Sequence, residues 1–559
     1  MKKRILYILF PLLLASCSFL DEKNTTYATS DYYTSPERIV TGLNGCYDPV
    51  RSIYSAAMLQ MTECATDVMF LSSYTRPDAN CVISPAKPCH GKTVWKQGYL
   101  GVMRTNELCN VINRTLEEGK ITEDEYAVLY GEAAVMRAMY YYVLTSVFGD
   151  VPFYLEAVTE ENRKEIAHLE RTPATVIRDT LANELLDILL PYDRGGRQYM
   201  PLVRSYASGT DYRAGASLGL MLAVKFCMWN ERWEDAITAC EVLEDIYGHF
   251  ADAPSEFGQT YPLTDIPFSN KWTPESIFEI SNKVEEFGQQ EYSSIASYCT
   301  PSRSNIEIEE DDDETDESAS VVSNNYNGII IPEMSAYART YKAARPTKYF
   351  HGTLMKERNK DLRAGEYTES DVPRGGSGNL AWRWKGYSAE SDLDQERDTV
   401  MFFNSCTSYS SRPWLGNKFW CPTMYYNRDS NNQKVFRFAG ALLNKAEALL
   451  MTGDFEEACR YLSITKVRAG LDPVQPITFS YDADLIMEEI RKECAVELFG
   501  EFQRKFDLVR WGIWYERTLQ YNNSYYLPLY IKPYHKYYPV PSDQVAYSDG
   551  ALNNNDYME

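Results

Sequence analysis

The sequence predicts a mainly α-helical protein, a scaffold of stacked helical hairpins interrupted by a long, irregular, loop-rich insertion. Three observations lead to this prediction. Residues Val435–Gly470 have the pattern of one helical hairpin, and similar patterns recur earlier in the chain. The region from Phe250 to Lys434 has no sustained helical period. With 559 residues, the chain is long enough to form one large helical body that includes such an insertion.

In the C-terminal hairpin, small residues stand where two helices would approach each other closely. These are Ala446 and Ala458, while Gly453 and Asp454 form the turn and Phe455 begins the second helix. The spacing resembles the tetratricopeptide repeat, whose period is about 34 residues. Because one such hairpin cannot bury its apolar face alone, it requires neighbouring hairpins.

The N-terminal half supplies several of the required neighbours. Trp95–Leu116 has an apolar helical period, and Glu123–Phe148 is the longest regular helical pattern in this half. Gly149 follows it directly, as is common at a helix end. Further helical patterns occupy Val176–Leu190 and Gly215–Tyr247, the second of which repeats the small and aromatic spacing with a slip of about one residue. We therefore expect interrupted hairpins rather than a tandem array.

Leu485–Trp511 predicts a last helix pair in which basic and acidic residues recur beside aromatic ones. A catalytic pair of carboxylates is one interpretation of this pattern. Ion pairs that tie helices together are the better interpretation, because nothing in the spacing singles out one acid and one base.

The middle of the chain has a different sequence pattern from the helical regions on either side. Ser276–Ser281 alternates loosely like a strand, and Glu307–Glu317 holds nine acidic residues in eleven positions. A calcium loop beginning at Asp311 would need glycine where Asp316 stands, so a solvated acidic loop is the better interpretation. Neither an HExxH helix nor a CxxC pair occurs, and we expect no metal site and no cofactor.

Composition and charge limit the function classes. The formal net charge is −23, and a field of that sign repels phosphate backbones, so nucleic-acid binding is not expected. The 43 tyrosines outnumber the 22 phenylalanines and 10 tryptophans together. Because tyrosine tolerates water at one end, this excess indicates wetted aromatic surface in addition to core packing.

The first residues predict export and anchoring. Lys2-Lys3-Arg4 precedes the apolar run Ile5–Leu14, which is too short to span a bilayer core of roughly 20 apolar residues. Leu14-Ala15-Ser16-Cys17 then resembles a lipobox. We expect residues 1–16 to be a signal peptide and Cys17 to be lipidated, the alternative being an ordinary signal peptide with an incidental cysteine.

Twelve cysteines remain after Cys17, an even number that permits disulfides in an exported protein. Cys81 and Cys89 bracket a short loop and are the most plausible pair. The cysteines inside helical patterns are expected to act as small apolar residues. These are Cys227, Cys240, Cys459 and Cys494.

Several motifs together resemble the SusD/RagB family of outer-membrane nutrient-binding lipoproteins. They are Cys17 followed by Phe19-Leu20-Asp21, then GEAAVMRAMYYYVLTSVFGDVPFY, VFRFAGALLNKAEALL, RKECAVELFGEFQRKFDLVRWG and YYPVPSDQV, with asparagines after the last. They stand in the family's order along nearly the whole chain. Departures are concentrated in Phe250–Lys434, where the family varies, and the acidic run looks particular to this chain.

The resemblance implies a non-catalytic lipoprotein on the outer face of the outer membrane. Such a protein sits on a SusC-like TonB-dependent transporter and passes oligosaccharides, or in some cases peptides, to it. The division of the chain implied is a signal peptide (1–16), an N-terminal helical region (17–249), a variable ligand-binding region (250–434) and a C-terminal helical region (435–559). A surface glycoside hydrolase and a protein-binding tetratricopeptide adaptor are the alternatives from other classes.

Family ligand platforms are built from the loop before the helix that contains Trp95 and from the variable middle. The resemblance therefore implies a set of aromatic ligand-binding candidates on these segments, the alternative for each being that it packs in the core or in a loop. They are Tyr74, Trp95, Tyr292, Tyr298, Tyr326 and Trp382.

Overall fold

The structure of the chain is a computed structural model. It describes residues 32–71, 73, 75–201, 213–283, 292–299, 343–350, 361–364, 417–419, 421 and 423–557, together with the backbone of five short strands between 306 and 403. The predicted signal peptide, Cys17, Tyr74 and Tyr326 lie outside the described residues. Of the acidic run Glu307–Glu317, only Glu307 and Ile308 are described.

Helices make up most of the described chain. They are α1 Pro36–Asn44, α2 Asp48–Ile53, α3 Ala56–Leu59, α4 His90–Glu117, α5 Glu123–Phe148, α6 Arg163–Ala167, α7 Ala174–Leu189, α8 Ala216–Trp229, α9 Trp233–Tyr247, α10 Pro254–Thr260, α11 Ile295–Cys299, α12 Phe438–Met451, α13 Phe455–Arg468, α14 Ala483–Glu497, α15 Arg504–Arg510, α16 Trp514–Tyr521, α17 Leu527–Tyr530 and α18 Ser542–Tyr547.

The strands are short and pair antiparallel. They are β1 Met69–Leu71, β2 Ser276–Ile280, β3 Ile306–Ile308, β4 Val321–Ser323, β5 Ala344–Pro346, β6 Glu366–Glu369, β7 Leu380–Arg383, β8 Val400–Phe403 and β9 Gln433–Arg437. β1 pairs with β5, β2 with β9, and β3 with β4, while β6, β7 and β8 form one small sheet. The strand predicted at Ser276 is confirmed as β2.

The core is a stack of helices around α5. α4 and α8 both pack on α5, α9 packs on α8, α12 on α9 and α13 on α12. α5 begins at a capping box, in which Thr122 Oγ1 accepts a hydrogen bond from the backbone N–H of Glu125 and the Glu125 carboxylate accepts one from that of Thr122. It ends before Gly149, whose φ of +72° suits glycine. The predicted scaffold of helical hairpins is confirmed.

The hairpin predicted at Val435–Gly470 is present as α12 and α13, with one correction at its start. Val435 belongs to β9, and the first helix begins only at Phe438. Ala446 and Ala458 are fully buried at the helix contact, and Gly453 makes the turn at a φ of +90°. The correction has a physical reason, because β9 pairs with β2 and so commits these residues to extended backbone.

Buried ion pairs connect the middle of the chain to the C-terminal helices. The Arg437 guanidinium lies 2.7 Å from Glu275, 2.8 Å from Glu497 and 2.7 Å from Glu501. Arg468 lies 2.9 Å from Glu275 and 2.5 Å from Glu497. All five side chains are buried. We call this set, with the residues of the next paragraph, the Arg437 network.

Two cations from the middle region extend the Arg437 network. Arg363 lies 2.7 Å from Glu493 and 2.8 Å from Glu497, and Lys418 lies 2.5 Å from Glu501. Burial alone would raise the pKa of the Glu497 carboxyl, but the surrounding guanidinium groups outweigh it and lower that pKa. The predicted structural ion pairs in Leu485–Trp511 are therefore present, and they reach well beyond one helix pair.

The sequence permits disulfides, with Cys81 and Cys89 as the most plausible pair, but this pairing is absent from the structure, in which both cysteines are free. The two thiols lie in different surroundings. Cys81 is buried in an apolar cluster with Leu508 and Trp514, whereas the Cys89 Sγ lies 3.4 Å from the carbonyl oxygen of Lys87. The predicted apolar role of the helical cysteines is confirmed, since all four are free and buried.

None of the helices that the structure describes is both long enough and apolar enough to cross a membrane.

Replacing Arg437 by methionine is expected to destabilise the protein by about 3–5 kcal/mol, because three buried carboxylates lose their common partner. Urea denaturation would measure the free energy of unfolding. The matched control is Arg460→Met, whose guanidinium is 44% exposed and pairs with Glu457, and whose loss should cost about 1 kcal/mol or less. An equal decrease in the free energy of unfolding for the two variants would show that the Arg437 network does not stabilise the fold.

Candidate functional site

Two of the predicted tyrosines lie in or just before the short helix α11: Tyr298 near its C-terminal end and Tyr292 three residues before its start. Tyr292 and Tyr298 are both half-buried. The Arg428 guanidinium carbon lies 4.6 Å from the centre of the Tyr292 ring, and that of Arg76 lies 5.0 Å from the centre of the Tyr298 ring. Both distances are in the range of a cation–π contact, which holds each ring in place.

A tight turn beside Arg428 presents two more tyrosines to solvent. Tyr425 and Arg428 exchange backbone hydrogen bonds of 2.9 and 3.0 Å. The rings of Tyr425 and Tyr426 meet edge to face with centroids 4.7 Å apart, and they are 43% and 39% exposed. Tyr426 has a φ of +52°, which is unusual for an aromatic residue and is a strain that functional sites often retain.

Asp429 joins the turn to the segment before α11. Its backbone exchanges hydrogen bonds of 2.9 and 2.8 Å with Ser293. Its carboxylate accepts hydrogen bonds from the backbone N–H groups of Ala296 at 3.0 Å and Asn431 at 3.2 Å. The two tyrosine-bearing segments are therefore one unit. We call it the tyrosine–arginine platform, formed by Tyr292, Tyr298, Tyr425, Tyr426, Arg76 and Arg428.

Polar contacts below the platform connect it to the helical body. The Asn432 amide donates to the Glu279 carboxylate of β2 at 2.8 Å and accepts from the Asn282 N–H at 3.1 Å. β2 pairs in turn with β9, which ends at Arg437. The platform is thus held at one end of the two-stranded sheet whose other end lies in the Arg437 network.

Burial raises the pKa of the Asp429 carboxyl to about 7, and its hydrogen bonds to Ala296, Ser293 and Asn431 offset this only in part. Asp429 is fully buried, and its carboxylate holds the turn against α11 through the backbone N–H of Ala296.

The structure places the predicted ligand-binding residues that it describes in three different environments. Tyr292 and Tyr298 belong to the platform. Trp95 is only 5% exposed and packs in the core against Tyr99 and Phe148, with ring centroids 5.0 Å away in each case. Trp382 lies in β7, where its backbone pairs with Tyr367 and Met401.

Sequence reasoning missed four of the six platform residues. Tyr425, Tyr426, Arg428 and Arg76 were not among the predicted residues, although consecutive tyrosines before Asn427 and Arg428 are a signal for an aromatic turn. Within the described part of the chain, no group of three histidine, cysteine, aspartate or glutamate residues is placed to hold a metal ion.

The sequence is similar to two family models and to a named relative. Residues 334–557 match the model of the SusD family, and residues 18–195 match a model described as starch-binding associating with outer membrane. The two matches together span more than two thirds of the chain. A SusD-like protein of Formosa agariphila is 23% identical over 572 residues, which cover 96% of each chain.

Solved structures share the fold. Surface glycan-binding protein A from Bacteroides uniformis superposes with a TM-score of 0.61 at 20% identity, covering 93% of this chain and 100% of its own. A laminarin binding SusD-like protein gives a TM-score of 0.61 at 18% identity, covering 92% of this chain and 98% of its own. At these identities the likeness concerns the fold.

The variant Asp429→Asn is expected to gain stability relative to the wild type as pH rises from about 4 to about 7. The folded wild type holds the Asp429 proton more tightly than the unfolded chain does, so deprotonation in this window costs the wild type about 1.4 kcal/mol per unit of pKa difference. Unfolding free energies measured at several pH values test this. The control is Asp252→Asn, at an exposed position. A stability difference that does not change with pH would contradict the assignment.

Proposed function

This chain belongs to the SusD family, and we propose that it is a cell-surface lipoprotein that binds oligosaccharides. The bound sugar rests on the tyrosine–arginine platform and is passed to a TonB-dependent transporter in the outer membrane.

The observation that carries this proposal is the chemistry of the platform. Aromatic faces pack against the C–H faces of sugar rings, and guanidinium groups donate several hydrogen bonds in a fixed plane to ring hydroxyls. Tyr425 and Tyr426 offer exposed rings, and Arg428, on the same turn, lies against the ring of Tyr292. Because Asp429 and the cation–π contacts fix this arrangement before a ligand arrives, little ordering entropy is lost on binding.

The surroundings of the acidic groups support binding without turnover. Glycoside hydrolysis needs two carboxyl groups that flank the scissile bond. The carboxyls of Glu63, Asp78 and Asp429 have pKa values raised by burial to about 8, 6 and 7. All three lie inside the protein and accept hydrogen bonds from backbone N–H groups, so they are structural.

The names of relatives favour a sugar over a peptide as the ligand. One similar structure is named as a surface glycan-binding protein and another as laminarin binding. Both similarities concern the fold, and binding to different glycans will identify the class of sugar. A peptide ligand is the alternative outcome.

The start of the sequence supports anchoring. A lipidated Cys17 would attach the protein to the membrane surface without a spanning helix, and docking on a transporter would add a second attachment. The family description of one matching model, which associates its members with the outer membrane, agrees with this location.

Replacing Tyr292 or Tyr426 by alanine is expected to weaken retention on an immobilised glycan by about tenfold each, because each change removes an aromatic contact with a sugar ring. Affinity electrophoresis through gels containing laminarin or starch measures the effect. The matched control is Tyr192→Ala, which removes a tyrosine that is 79% exposed on a different segment. Retention that is unchanged in both platform variants would remove the platform as the site.

Replacing Cys17 by alanine is expected to release the protein from the membrane, because the anchor requires the thiol at this position. Membrane fractionation of cells that express the variant is the measurement, with Cys89→Ala as a control in which the lipobox is intact. Membrane retention equal to that of the wild type would contradict the predicted anchor.

A further inference from the structure

A concave site that shares no lining residue with the platform lies between the first half of α4, the segment that follows α5, and α18. It is a cavity of about 620 Å³, within the range of roughly 300–1,000 Å³ that is usual for small-molecule sites. Its walls are fixed by contacts from the C-terminal segment. Lys92 and Asp543 form an ion pair of 2.7 Å, and the Tyr538 N–H donates to the Val147 carbonyl at 2.8 Å.

Aromatic rings line much of this cavity. Trp95, Tyr99 and Tyr154 form the inner wall, and the Tyr99 hydroxyl donates to the Pro152 carbonyl at 2.8 Å, which orients the ring. The rings of Tyr99 and Tyr154 are nearly parallel, with an interplanar angle of 7°. At the rim stands Tyr547, which is 76% exposed and therefore able to turn toward a ligand. Trp95 and Tyr154 are only 5% and 8% exposed, so the half-buried Tyr99 and the exposed Tyr547 are the rings that a ligand can reach.

Polar side chains line the same cavity beside the aromatic wall. The Lys92–Asp543 pair, Lys96 and the Gln544 amide supply both donors and acceptors of hydrogen bonds. Aromatic rings combined with donors and acceptors of hydrogen bonds match the surface of a sugar, whose rings have C–H faces and an edge of hydroxyl groups.

We propose that this cavity is a second carbohydrate-binding site, which takes the end of a sugar chain. It rests on the proposed function for the class of ligand and on none of the platform residues. The platform is an open turn that a chain can cross, whereas the cavity is bounded by α4, α6 and α18 and admits a chain end. One protein would then hold a glycan at two points, which raises its effective affinity for long chains.

The walls favour a sugar over a peptide. A peptide that binds in extended form pairs its backbone with an exposed strand edge. Here the residues that line the cavity lie in α4, α6, α18 and the loops beside them, and none of them lies in a strand, so the wall offers no strand edge. A sugar needs only the side chains that the cavity offers.

Ala167→Trp tests the cavity with little risk to folding, because Ala167 is exposed and lies in the cavity lining. The indole would occupy the space that the sugar needs. The change is made in a protein whose platform is already disabled by Tyr292→Ala and Tyr426→Ala. Hexasaccharides of β-1,3-glucan and α-1,4-glucan are the probes, and calorimetric titration is the measurement. We expect the platform-disabled protein to bind one of the probes and Ala167→Trp to weaken that binding by about tenfold or more.

The matched control is Ala546→Trp, an exposed alanine on α18 that does not line the cavity, and it should leave binding unchanged. Thermal unfolding of each variant shows whether the fold is retained. A second variant, Tyr547→Ala, should weaken binding as Ala167→Trp does.

The outcomes separate this proposal from the proposed function. If the wild type binds a probe and the platform-disabled protein does not, the cavity is not a carbohydrate site while glycan binding stands. Binding by the platform-disabled protein that survives Ala167→Trp leads to the same conclusion. If the wild type binds neither probe, both proposals fail for these glycans.

Discussion

Arg437 and its buried carboxylate partners join parts of the chain that are far apart in sequence. Glu275 precedes β2, Arg437 ends β9, and Glu497 ends α14, so their contacts bring the middle region against the C-terminal helices. A charge without its partner in such an interior costs several kcal/mol, so only the arrangement that pairs all of them is stable. The network therefore specifies how the loop-rich middle attaches to the helical body, which the apolar core alone would leave less well defined.

The position of the platform follows from this attachment. The turn that holds Tyr425 and Tyr426 closes at Arg428, β9 begins at Gln433, and β9 ends in the Arg437 network. Asp429 ties the same turn to α11, and Asn432 ties it to β2. The binding surface is thus formed by short irregular segments, but each is fixed to a rigid element. This is how a mainly helical scaffold can present a variable loop region without losing the geometry that recognition requires.

The elements that the sequence predicted well are those whose signal is local. The Thr122–Glu125 capping box and the apolar period of α5 are readable in one window, and so is the turn at Gly453. The misses depend on contacts distant in sequence. Val435 is extended because β2 pairs with it, and the packing of Trp95 against Phe148 likewise cannot be read from one window of sequence. The strained backbone of Tyr426 likewise has no marker in composition, although adjacent tyrosines before Asn427 hinted at the turn.

The central claim is that the helical body, held together by the Arg437 network, presents a preformed tyrosine–arginine platform. A crystal structure of the protein with a bound oligosaccharide tests this claim most directly. We expect sugar rings against Tyr292 and Tyr426, with hydroxyl groups hydrogen-bonded to Arg428. The backbone of residues 292–299 and 424–432 should differ from the free structure by about 1 Å or less, as in other pre-organised complexes. An oligosaccharide bound away from these residues, or a platform that assembles only when the ligand is present, would contradict the account.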